Sequence, residues 1–359
     1  MKKIKHYLTL TSAALLMIAC SNETMLTEES PENIPSMENP ITFAVEMENG
    51  TRAAGEIGSL SGAIGVFASY TGDVRYNLST VSPNYMYNQQ VTRSANEWTY
   101  APVKYWPNTS ETGGYKDYVS FFSYYPYISL TDAEGAADGI IGFSNEDTSG
   151  DPWLVYQLPA SAPTTQTDLL YGVKSDGSPM LDMQKQSVSS KVTFSFRHAL
   201  ACVGDKITIC LSSELYSALA QATKSLYVNK VTINYKNLTN KARLILNSNE
   251  SPNWQPVISG DYISNRKVEI TSDTDGYVAA GTSHKALSTN PGEISSGNGL
   301  FYIPIHLGAV RQEAEITVEY TVKGETTTTG SVSNSYILKE DAQKKESINI
   351  VLGEKLLNP

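Results

Sequence analysis

The chain has 359 residues, 27 of them basic and 37 acidic, for a net charge of −10. That length suits about two domains, each large enough to bury its own core. Charged residues make up 18% of the chain, below the roughly 25% of an average globular protein. No basic run follows residue 5 except Lys344-Lys345, which excludes a nucleic-acid role, since phosphate binding depends on basic patches.

The N-terminus reads as an export signal. Lys2, Lys3 and Lys5 precede an apolar stretch from Leu8 to Ile18, shorter than the roughly 20 residues a membrane-spanning helix needs. The stretch ends in Met17-Ile18-Ala19-Cys20, the pattern of a bacterial lipobox, so residues 1–19 are expected to be removed and Cys20 to be lipidated. Losing the three lysines leaves 24 basic residues against 37 acids, a mature charge of −13. Residues 20–39 are polar and acidic with Pro31 and Pro35, a tether with too few apolar groups to fold.

Beyond residue 40, short segments alternate apolar and polar at period two, separated by Gly, Asn, Ser, Asp and Pro clusters; this is the strand-and-turn signature. Ile41, Phe43 and Val45 share one face. Strand-like segments follow at 62–70, 97–106, 118–127, 153–158 and 168–174. A second series opens at Lys191, with Val192, Phe194, Phe196, His198 and Leu200 on one side, and continues at 226–235, 242–246, 266–271, 300–307, 314–322 and 335–339. It closes at 347–352, where Ile348, Ile350 and Leu352 alternate. Thr326 to Thr329 reads as a hairpin loop. Helical spacing stands out only over 213–224, where Leu215, Leu219 and Ala222 share a side and Ser212 or Ser213 can cap the start. The pattern predicts an all-β protein of two tandem β-sandwiches, residues 40–185 and 186–359, with a short helix in the second.

No motif for chemistry emerges. His6 leaves with the signal; His198 falls on the apolar side of its strand with no ligand at i, i+2 or i+4; His284 and His306 belong to no constellation. Nucleophile-elbow, zinc-protease and phosphate-loop motifs are missing. The acidic loops 145–151 and Asp273-Thr-Asp275-Gly276 fall short of the six to eight oxygens a hard cation takes, and read as solvated turns. Neither a metal nor a cofactor is expected, and the chain does not read as an enzyme. Cys202 and Cys210 would lie about 26 Å apart on one straight strand, too far for a disulfide. They are buried free thiols unless a turn at Gly204-Asp205 brings them together.

Several segments together resemble the fimbrillin family of pilin-like surface lipoproteins. They are Cys20; Ile41-Thr-Phe43 with Thr51-Arg52-Ala53; Trp98 with Ala101-Pro102-Val-Lys-Tyr105-Trp106-Pro107; Phe121-Phe122-Ser-Tyr124-Tyr125-Pro126; and Asp168-Leu-Leu-Tyr171-Gly172. Val192-Thr-Phe-Ser-Phe196-Arg-His198-Ala-Leu200, Phe301-Tyr-Ile-Pro304 and Ser347-Ile-Asn-Ile-Val-Leu-Gly353 complete the series. The resemblance implies two transthyretin-like β-sandwiches and a non-catalytic subunit or tip adhesin of a fimbrium, carried to the outer membrane by its lipid. It implies cleavage between Arg52 and Ala53, displacement of the strand holding Ile41, Phe43 and Val45, and its replacement by a neighbour's strand, for which Ile348, Ile350 and Leu352 form the candidate donor. Only Glu354 to Pro359 follow that strand, so it can equally complete its own domain. The implied partners are other fimbrial subunits, the outer membrane, and surface glycans or proteins. A surface glycan-binding lipoprotein is the alternative, with Trp254, flanked by Pro252 and Pro256, as its best exposed platform.

Overall fold

In the computed structural model, the described residues are 39–47, 60–76, 81–95, 97–107, 116–160, 166–185, 191–257, 261–264, 266–271, 276–278, 284–296, 299–305, 309–342 and 345–353. The first ten strands and helix, in chain order, are β1 (Phe43–Met47), β2 (Ala63–Gly72), β3 (Met86–Ser94), β4 (Glu97–Thr99), β5 (Tyr118–Tyr125), α1 (Leu130–Gly135), β6 (Gly139–Phe143), β7 (Trp153–Gln157), β8 (Leu170–Val173), β9 (Val192–His198) and β10 (Ala201–Leu211). Next come α2 (Ser213–Gln221), β11 (Ser225–Lys236), β12 (Leu238–Thr239), β13 (Lys241–Ile245), β14 (Asn253–Pro256), β15 (Tyr262–Ile263) and β16 (Arg266–Ile270). The chain closes with β17 (Gly292–Ser296), β18 (Leu300–Tyr302), β19 (Glu313–Lys323), β20 (Thr327–Ile337) and β21 (Lys345–Leu352).

The protein is all-β with short helices, as the alternation predicts. Strands β1-β4-β3-β2-β5-β8-β9 close into a barrel. A second sheet orders β16-β11-β19-β20, and a third gathers β17, β18 and β21 around β10. The sheet β14-β13-β7-β6 joins strands from both sides of residue 185: β13 pairs antiparallel with β7, Leu244 opposite Leu154. Strand β9 likewise pairs with β1 and β8. Hydrogen-bonded strands thus pair across residue 185.

Two apolar cores share a wall. Ile64, Val66, Val119, Phe121 and Phe194 fill the barrel. Phe67, Phe122 and Tyr124, from the opposite faces of β2 and β5, join a larger core with residues of β7, β10, β11, β19 and β21. Strands buried on both faces lose the alternation of a one-sided sheet, which is why Phe121-Phe122-Ser-Tyr124-Tyr125 is so continuously apolar.

Helix α2 starts where the spacing placed it but ends at Gln221, short of the expected residue 224, with Ala222 exposed as its C-cap. Ser212 caps it by accepting from the Leu215 N–H, and Leu215 and Leu219 are buried. Helix α1, six residues capped by Ser129, is too short to show a period and was not foreseen. The polar tract Thr326–Thr329 is corrected: Thr327, Thr328 and Thr329 already pair with Lys323, Val322 and Thr321, so the turn is confined to Gly324–Thr326. Cys202 and Cys210 are buried free thiols on a single strand, β10, which bulges after Val203 instead of turning back.

Gly172 shows why the family-like segments constrain one another. A Cβ there would lie 2.0 Å from Ser123 Oγ and 2.9 Å from Phe194 Cδ1, so β5, β8 and β9 approach too closely for any side chain. Gly172→Ala is expected to cost roughly 1–3 kcal/mol through overpacking, read as a lower denaturant midpoint; an unchanged midpoint would show the wall to be loosely packed.

Candidate functional site: the slot occupied by the first strand

The barrel depends on β1 to close. β1 runs parallel to β9 in register, from Phe43 opposite Val192 to Met47 opposite Phe196, and meets β4 at a single antiparallel position, Phe43 opposite Trp98. Ahead of the strand, Ile41 N–H donates to Lys104 O at 2.8 Å and Trp106 N–H to Asn39 O at 2.9 Å. On the other side, Val192 N–H donates to Thr42 O at 2.7 Å. The main chain of 39–47 is therefore held along both of its edges.

The three foreseen side chains differ in depth. Ile41 and Phe43 are fully buried; Val45 is half-buried. The Phe43 ring stacks on Phe194 at 5.8 Å, meets Phe121 edge-on at 6.0 Å and leans on Tyr100 at 5.4 Å. Burying two such side chains contributes about 1.5–3 kcal/mol each.

The opposite wall of the slot is the segment Tyr100–Trp106, braced by tyrosines. Tyr100 Oη donates to Ile41 O at 2.9 Å, and burial pushes its pKa up to about 12, so it stays a protonated donor. Tyr85, likewise raised to about 12 by burial, donates to Tyr105 O. Trp106 is buried edge-on against Phe121 at 5.8 Å. The Ala101-to-Pro107 segment thus builds the seat of β1.

The candidate donor strand lies outside the barrel, in the sheet built around β10. Residues of β21 run parallel to β10, from Cys202 opposite Lys345 to Leu211 opposite Leu352, with Ile348, Ile350 and Leu352 buried. Thr208 Oγ1 donates to Asn349 Oδ1 at 2.8 Å. Cys20, Arg52 and Ala53 lie outside the described residues, as do His306 and the Asp273–Asp275 loop.

The remaining candidates have structural partners. His198 Nδ1 donates to Asp168, a neighbour supplied by the adjacent strand pair β8–β9, where Leu170 lies opposite His198; sequence spacing could not reveal it. Asp151 accepts from Tyr76 Oη at 3.0 Å and Asn247 Nδ2 at 2.9 Å, and burial raises its pKa, so this acidic loop ties two other loops together. Burial and nearby Lys323 lower the pKa of His284, which sits edge-on to Tyr227 at 4.6 Å. Among the described residues no group of three His, Cys, Asp or Glu could hold a metal. Nor is any of their helices long and apolar enough to cross a membrane.

The tryptophan platform is overturned. Trp254 is only 7% exposed, lies on β14, donates its indole N–H to Ala199 O at 2.8 Å and packs edge-on against Tyr156 at 6.4 Å. Its flanking prolines suggested a loop, but pairing of Leu244 with Trp254 turns the ring inward.

These features define a class: an all-β protein whose first described strand completes a barrel by parallel pairing along an aromatic-lined slot. A sequence model of the fimbrillin-like family matches residues 51–358, and the chain belongs to that family. A fimbrium subunit of Phocaeicola vulgatus is 24% identical over 200 residues, covering 55% of this chain and 50% of that protein; the match spans about half the relative's length. A crystallised fimbrial protein from Bacteroides vulgatus has the same fold, with a TM-score of 0.65 at 20% identity over 88% of this chain and 95% of that one.

Phe43→Ala is expected to destabilise the protein by about 3–5 kcal/mol and to increase amide exchange along Val192–Phe196 before global unfolding. Uniform exchange across all strands would instead show that the slot is not a separable element.

Proposed function

We propose that this chain is a non-catalytic fimbrial subunit, exported as a lipoprotein through Cys20 and used at the cell surface for adhesion. Its assembly is triggered by cleavage between Arg52 and Ala53, which leaves β1 bound by non-covalent contacts alone. The observation that carries this reading is the seat of β1: a terminal strand, parallel to β9, with Ile41 and Phe43 buried. Vacating it exposes the unpaired main chain of β9 and of Lys104–Trp106 beside an apolar slot, and such an edge recruits a strand.

The incoming strand must run parallel to β9 and present apolar side chains at every second residue. Strand β21 meets both requirements in its present seat, where it runs parallel to β10 and buries Ile348, Ile350 and Leu352. Donation requires it to leave β10. No observation favours the glycan-binding alternative, because Trp254 is committed to the core.

The test is negative-stain electron microscopy of the lipid-free protein before and after limited trypsin, with the new N-terminus read by mass. Filaments formed only after cleavage, from subunits beginning at Ala53, are expected. A monomer that persists after complete cleavage at Arg52 would overturn self-assembly through β21, and a fold cut preferentially elsewhere would overturn the processing site.

A further inference from the structure

A second open seam lies far along the chain from β1. Among the described residues, β20 pairs only with β19 and β21 only with β10, so each is the edge of its sheet. The two edges flank a groove of about 630 Å³ floored by Ile316, Val318, Val332, Ile348 and Ile350.

Three observations show that this seam is built to be covered. First, the devices that keep edges apart are sparse: Thr327–Ile337 contains no charged residue and no proline, and the charges of β21 are confined to Lys345 and Glu346 at its start. Second, Val351 on β21 and Ile337 at the end of β20 are 60% and 58% exposed, large apolar side chains beside an apolar floor. Third, Tyr336 Oη and Glu346 Oε2, both lining the groove, are buried without a hydrogen-bond partner; such groups are costly unless something meets them.

We propose that the free edge of β21 pairs antiparallel with β21 of a second copy, forming a two-fold symmetric dimer of the uncleaved protein in which β21 keeps its seat on β10. A second copy is the occupant the charges select: antiparallel pairing holds the Lys345-Glu346 ends of the two strands apart and lets the uncharged stretch from Ser347 meet its own image, as a two-fold contact requires. With the axis at Asn349, Ile348 faces Ile350 and Ser347 faces Val351 of the partner copy. The free oxygen of Glu346 then comes to the Leu352–Gly353 end of the other strand, where main-chain N–H groups can donate to it.

The test uses the uncleaved lipid-free protein, in which β1 remains seated, so its outcome is separate from that of strand exchange. Sedimentation equilibrium across a dilution series is expected to show a dimer. Val351→Lys, at a site exposed enough to leave the fold intact by circular dichroism, is expected to weaken it about tenfold or more, since a lysine placed on an edge strand opposes edge-to-edge pairing. Asn349→Cys is expected to form an inter-chain disulfide on mild oxidation, because residues directly opposite have adjacent Cβ atoms. A wild-type monomer at every concentration would overturn the proposal and assign the groove to a different subunit or to residues 354–359 of the same chain. A dimer unaffected by Val351→Lys and uncrosslinked through Asn349→Cys would overturn it equally, by placing the contact elsewhere.

Discussion

The parallel pairing of β1 with β9 is the constraint on which the barrel rests. It is the last ladder needed to close seven strands into a ring, and it is made by a terminal segment whose own chain contributes little else. Phe43 concentrates the effect: its ring contacts Phe121, Phe194 and Tyr100, residues of the far wall, the neighbouring strand and the braced segment opposite. Barrel closure removes sheet edges. Because β1 precedes the proposed cut after Arg52, that single cut would separate it from every other strand of the barrel.

The same ribbon serves both ends of the molecule. Strands β9 and β10 are separated only by the buried Ala199 and Leu200, and the N-terminal and C-terminal strands each lie parallel to one of them. A parallel strand cannot be reached by a tight hairpin and needs a long connection; here the connection is most of the chain. Two apolar triplets, Ile41-Phe43-Val45 and Ile348-Ile350-Leu352, therefore sit along one continuous backbone, the first at the start of β9 and the second at the end of β10. The proposed replacement of one by the other rests on that shared parallel seating.

Much of this was legible in the sequence and some was not, for physical reasons. The period-two pattern identified β1, β9, β11, β19 and β21, because each presents a single apolar face or a clean apolar run. Their pairing was hidden: Phe43 and Val192 are neighbours through register alone, and nothing local specifies register between segments so distant. The tie from Asp168 to His198 was invisible for the same reason. Trp254 was misjudged because Pro252 and Pro256 are loop signals, whereas pairing with β13 overrode them. The sheet joining β7 to β13 could not be inferred from a composition shift, since long-range pairing leaves no mark on composition.

The central claim is that β1 is a replaceable strand whose seat survives its departure. The direct measurement is hydrogen exchange on the protein cleaved after Arg52 and freed of residues 21–52, with and without a synthetic peptide spanning residues 39–47. The account predicts a folded protein in which the amides of Val192 and Trp106, which donate to Thr42 and Asn39, exchange rapidly alone and become protected when the peptide binds, while β11 and β19 remain protected throughout. Global loss of protection on removing β1, or a folded protein that ignores the peptide, would contradict it.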